Sequence, residues 1–176
     1  TDLMAESILK TTISSGLAAL KDPNDYEARA SIMWCGSLSH NDLTGLGRNT
    51  YLMCHQLAHA LSGMFPEIAH GAALSIIFPA WCRYIWTNSK ERFLRFAANV
   101  WEITDENSTA AIKKAIDTTE SFFKNIGMPV RLSEVGVSES NVRDLALLCT
   151  QNGTKKFPSW YDYKTEDIEA IFRLAL

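Results

Sequence analysis

Residues 49–82 read NTYLMCHQLAHALSGMFPEIAHGAALSIIFPAWC, and Glu67 is their one formal charge when histidine is counted as neutral. Thirty-four residues with so little charge raise the question of a membrane span. Pro66, Glu67 and Pro79 interrupt the stretch, and Asn49, Thr50, His55, Gln56 and His59 are too polar for a bilayer. Two helices at the centre of a helical domain fit better, because a helix that lacks charge all round is a buried one. The first is expected over about 50–64, closed by Phe65-Pro66. The second begins near His70 and carries Leu74, Ile77 and Phe78, with Pro79 expected to kink or end it before helix resumes through Trp86.

Working outward, apolar residues recur at helical spacing nearly everywhere. Leu9, Ile13, Leu17 and Leu20 mark a first helix over about 2–21, stopped by Asp22-Pro23-Asn24 and followed by an N-cap at Asp25. A second is expected over 26–38, then a polar, glycine-containing loop over 40–48. Phe93, Phe96, Ala97 and Val100 mark a fifth helix. Ile112, Ile116, Thr119, Phe123 and Ile126 mark a sixth, capped near Ser108 and stopped by Gly127 and Pro129. Two more are expected over about 139–151 and 165–176. No segment alternates with period two over a useful length, so the fold class is all-α.

The bulk numbers agree. The chain has 176 residues, 47% apolar and 21% charged, with a formal charge of −3. That is the mix of an ordinary globular domain, and it offers no basic surface to nucleic acid. No basic stretch leads into an apolar run at the start, so no signal peptide is read there. Cys35, Cys54, Cys82 and Cys149 form no CxxC pair and are expected as reduced thiols in the cytoplasm. The five tryptophans read as packing residues, and Lys155-Lys156 as a solvated loop.

All four histidines fall between residues 40 and 70. On a helical wheel Met53, Leu57, Ala60, Leu61 and Met64 form one stripe, while His55 and His59 lie nearly opposite. An i,i+4 pair projects from consecutive turns on one face, so two imidazoles can converge on one ion or one substrate. His70 comes after a short break and opens the next helix, from which it could fold back toward the pair. Imidazole is both a common transition-metal ligand and the usual acid/base near neutral pH. The competing reading is a stand-alone helical interaction or scaffold domain with buried structural histidines. Gln56 after the first histidine rules out the HExxH general base of zinc proteases. Cys54 lies on another helix face from His55, against a Cys-His catalytic pair. His40 reads as solvated or capping.

The run from His55 through His59, His70 and Gly71 to Trp81 resembles the second signature of the iron-containing (group III) alcohol dehydrogenases, nearest the NAD(P)H-dependent butanol dehydrogenase branch. The stretches Asp22–Ala30, Ile32–Trp34 and Val100–Ile103 resemble that branch as well. The resemblance implies a helical C-terminal domain of the dehydroquinate-synthase-like fold over residues 1–176. It also implies a divalent metal, Fe²⁺ or Zn²⁺, in a cleft closed by an N-terminal domain that binds NAD(P). By motif position His55 and His70 are metal ligands and His59 is the catalytic, proton-transferring residue beside the nicotinamide and substrate.

A small alcohol or aldehyde is the implied substrate, with no nucleic acid or membrane partner and an assembly of identical copies. One extra residue falls in the Pro66-Glu67 turn. The Asp-x-x-x-His pair and the glycine-rich phosphate loop of the family have no match here, since Asp2 and Glu6 share the spacing only. The chain therefore reads as the C-terminal portion of a longer enzyme. Counting two of four ligands, weak or absent metal binding and no dehydrogenase activity are expected of it alone.

Overall fold

The computed structural model describes all of residues 1–176, and it is helical throughout, with no strand. Eight α-helices run in order: α1 (Asp2–Lys21), α2 (Tyr26–His40), α3 (Met53–Met64), α4 (His70–Ile85), α5 (Lys90–Trp101), α6 (Ser108–Asn125), α7 (Glu139–Thr150) and α8 (Thr165–Leu174). Every helix expected from the sequence is present. The boundary residues act as their chemistry requires. Asp25 caps α2 by accepting from the Ala28 N–H at 3.0 Å, and Asn107 caps α6 by accepting from Thr109 and Ala110. Gly127, at φ +80°, ends the turn after α6 in the left-handed region that glycine adopts without strain.

The chain forms two compact units: residues 1–50 with 91–111, and residues 51–90 with 112–176. In the first, α1 packs along α2. Of the twenty residues of α1 the only one buried is Glu6, whose carboxylate is bonded by the Arg95 guanidinium and by Asn99 Nδ2 at 3.1 Å. Asp2, one turn earlier, accepts from Arg92 and Arg48. Those cations hold its carboxyl well below the usual carboxylate range. The leucines that mark this helix in the sequence are exposed: Leu17 is 46% and Leu20 55% accessible. So are Met33 and Trp34 of α2, which corrects the reading of every tryptophan as a packing residue.

The second unit holds the larger core. Helix α3 packs on α4 and α7, and α8 packs on α4 and α7. Leu57, Leu61, Ile76, Ile77, Ile85, Ile168, Ile171 and Phe172 are almost fully buried. The uncharged stretch of sequence is therefore central, as its composition requires. Helix α4 continues through the buried Pro79 instead of ending there. One turn before it, Ser75 Oγ bonds the Ala72 carbonyl at 2.9 Å and the Pro129 carbonyl at 2.7 Å, tying α4 to the chain after α6. No helix is long and apolar enough to cross a membrane.

Candidate metal centre

Helix α3 turns its apolar stripe inward, with Met53, Leu57, Ala58, Ala60 and Leu61 buried. That orientation leaves His59 exposed and His55 half-buried on the other side. After Met64 the chain reverses in five residues. The Phe65 N–H bonds the Leu61 carbonyl, the Ile68 N–H bonds the Phe65 carbonyl, and Ser62 Oγ reaches the Ile68 carbonyl at 3.4 Å. With Ile68 buried beneath the turn, α4 starts at His70 beside the face that carries the other two histidines.

The three rings meet. Ring centroids are 4.2 Å apart for His55 and His59, 4.6 Å for His55 and His70, and 5.5 Å for His59 and His70. One nitrogen from each lies within 4.8 Å of the others. The structure thus brings together all three histidines singled out in the sequence, with His55 in the middle. Exposure of His59 and His70 contradicts the alternative of histidines buried as structural polar residues. His40 stands apart at the end of α2, exposed, its Nδ1 2.8 Å from Ser39 Oγ, as expected of a solvated residue.

The donor set fits a borderline divalent ion. Metal–imidazole bonds of about 2.0–2.1 Å put two nitrogens on one ion at most about 4 Å apart. The observed spread closes with small side-chain rotations. Three neutral imidazoles suit zinc, iron, cobalt, nickel or copper, and offer nothing to magnesium or calcium, which take oxygen ligands. The three bring no negative charge, and His70 stands at the positive end of α4, so a carboxylate from elsewhere would strengthen any such site.

Behind the rings lies a support the sequence did not disclose. Gln56, between the two α3 histidines, accepts from Lys155 Nζ at 2.7 Å through its Oε1, and its backbone carbonyl lies 3.7 Å from Cys149 Sγ. Lys155 also sits 5.1 Å from the centre of the Phe157 ring. It is half-buried, which corrects its reading as solvated; Lys156 is exposed as expected. Ninety-nine residues separate Lys155 from Gln56, and no local pattern announces such a pair.

Three of the four cysteines are held as neutral thiols. All four are free thiols. Burial pushes Cys54 and Cys82 far above the ordinary thiol range and Cys149 up to about 11. That removes the thiolate a Cys54–His55 catalytic pair would need. Further along α4, Trp81 Nε1 donates to Tyr163 Oη at 2.7 Å, and Tyr84 Oη donates to Asp167. Burial raises the Tyr163 phenol to about 12 despite the indole bond.

Comparison with known proteins gives the family of the chain. The model of the Fe-containing alcohol dehydrogenase family, C-terminal part, matches residues 1–176. NADH-dependent butanol dehydrogenase A of Clostridium acetobutylicum is 34% identical over 174 residues, which cover 98% of this chain and 44% of that protein. NADPH-dependent aldehyde reductase YqhD of Escherichia coli is 31% identical over 178 residues, covering 99% of this chain and 45% of that protein. Among solved structures, NADH-dependent butanol dehydrogenase A of Thermotoga maritima superposes with a TM-score of 0.91 at 28% identity. That superposition covers 98% of this chain and 45% of the other. The chain spans less than half the length of these relatives. With its whole length matched, the chain belongs to the iron-containing alcohol dehydrogenase family, as the C-terminal helical part.

Proposed function

We propose that this chain is the metal-binding part of an NAD(P)-dependent alcohol dehydrogenase or aldehyde reductase, acting on a primary alcohol or its aldehyde. The convergence of His55, His59 and His70 within 4.8 Å carries the reading. In it, His55 and His70 hold the ion, joined by an aspartate and a histidine from outside these residues. The partner is a nucleotide-binding domain. The protein works in the cytoplasm, where its four thiols stay reduced, and assembles from identical copies. When bound, the ion supplies Lewis-acid polarisation of the substrate oxygen, and NAD(P) supplies or accepts the hydride.

This chain's own residues do the rest. His55 and His70 fix the place of the substrate oxygen from two different helices, which limits how far the oxygen can stray. His59, exposed at the edge of the cluster, carries the proton. It takes the hydroxyl proton during alcohol oxidation and returns it to the oxygen during aldehyde reduction, so protons balance against the hydride. Leu57, Leu61 and the rest of the α3 stripe hold that helix against α4 and α7, so the imidazoles project from a rigid base.

The test is aldehyde-dependent NAD(P)H oxidation by a polypeptide in which this chain is joined to a nucleotide-binding domain. Substitution of His55 or His70 by alanine should abolish both metal content and activity. His59→Ala should keep the metal and lower the rate about 10²–10⁴-fold, the usual contribution of a positioned acid/base. Full activity with alanine at residues 55 and 70 would overturn the proposal. The 176-residue chain alone should show no such activity.

A further inference from the structure

We infer that, in the 176-residue chain by itself, His59 is a third metal ligand, so that the chain forms a self-sufficient three-imidazole site for a borderline divalent transition ion. This rests on the reading of the cluster as a metal centre, and it reverses the expectation for the isolated chain. Weak or absent binding is expected when two ligands are counted. The geometry supplies three.

Two observations favour His59 as a donor. Its ring is nearer to His55 than the His70 ring is, at 4.2 Å against 4.6 Å between centroids. Its nitrogen also lies inside the same 4.8 Å group as those of the other two. Helix geometry accounts for this. Residues four apart on α3 stand one turn above the other, and two imidazoles so placed form a chelate on one helical face. The Phe65–Ala69 turn then delivers His70 as a donor from a second helix. Three histidines with an open fourth position are a sufficient protein ligand set for zinc.

Accessibility agrees, since His59 and His70 are exposed and an ion reaches them from solvent without unfolding. The Lys155–Gln56 bond holds α3 at the residue between the two donors, so little ordering remains to be done on binding. When an aspartate and a further histidine are provided by another part of the enzyme, they complete a four-ligand set with His55 and His70, and the carboxylate adds the negative charge that three imidazoles lack. His59 is then released from the ion for proton transfer. The same side chain thus has two occupations, selected by which other ligands are present.

The test is titration of the metal-free 176-residue chain with Co²⁺, read by its visible d–d absorption, and with Zn²⁺ in competition with a chromogenic chelator. Wild type should bind one ion per chain, while Mg²⁺ should leave the absorption and the unfolding temperature unchanged. His59→Ala and His59→Gln should each weaken Co²⁺ binding at least about tenfold, since loss of even an outer-shell partner of a ligand costs about 10–100-fold. The unfolding temperature in chelator should stay at the wild-type value for both, because residue 59 is exposed. His40→Ala should bind as wild type does. Wild-type affinity in both residue 59 variants, with binding lost only on substitution of His55 or His70, would overturn this inference and leave the proposed function standing. No binding by the wild-type chain at millimolar Co²⁺ would also overturn it, while the joined protein still tests the function separately.

Discussion

Helices α1 and α3 carry similar apolar repeats and meet different fates. In α1, Leu9, Leu17 and Leu20 are exposed and the buried residue is a glutamate. In α3, five of twelve residues are buried and all are apolar. Periodicity says which residues share a face; it does not say that anything covers the face. What separates the two is the rest of the helix. Helix α1 carries Asp2, Glu6, Lys10 and Lys21 and meets its neighbours through ion pairs, whereas α3 has no formal charge and must be enclosed on its apolar side.

The sharpest way to break that contrast is a matched pair of substitutions. Leu61→Ala should lower stability by about 2–5 kcal/mol, because it opens a cavity where α3 meets its neighbours. Leu17→Ala should stay within about 0.5 kcal/mol, as exposed substitutions do. Chemical denaturation of the two variants checks both, and equal losses would mean that the exposed stripe of α1 is covered in solution. Next in size, Glu6→Ala should cost about 1–3 kcal/mol by stripping Arg95 and Asn99 of their shared acceptor. Hydrogen exchange of α1 amides should accelerate more than that of α3 amides.

Lys155→Met tests the support of α3 and should cost about 1 kcal/mol, the worth of one hydrogen bond whose partner can still reach water. It should also broaden the imidazole resonances of His55 and His59. Smallest is an effect of acid. Burial tends to raise the Glu120 carboxyl, and the Arg131 and Arg83 guanidiniums outweigh it, leaving the group below its usual 4.5. A carboxyl lowered on folding adds stability that is complete above about pH 5 and is lost as pH falls through 4.5 and below. Glu120→Gln should therefore flatten the fall in unfolding temperature between pH 5 and pH 3, leaving the rest of that fall to groups such as Glu169.

Much of this architecture was legible in the residues. Helix limits came from Pro23, Asp25, Pro66, Gly127 and the apolar repeats, because breakers and caps act locally. The His55–His59 pair was legible for the same reason. The arrival of His70 depended on the Ser62–Ile68 turn, which a repeat cannot describe, yet the motif that the run resembles already linked the three. What local patterns do not carry is non-local: Lys155 bonded to Gln56, the burial of Glu6 against α5, and the uncovered leucines of α1. Whether Pro79 ends or only interrupts α4 was left open by the sequence for a related reason, since the partners packed on that helix, α3 and α8, are set by the tertiary fold.

Imidazole proton and nitrogen resonances, tracked while Zn²⁺ is added to the metal-free chain, test the central claim most directly. The account predicts that the rings of His55, His59 and His70 change together and saturate at one ion per chain, with His40 unmoved. Changes scattered equally over all four rings, or none at saturating zinc, would contradict it.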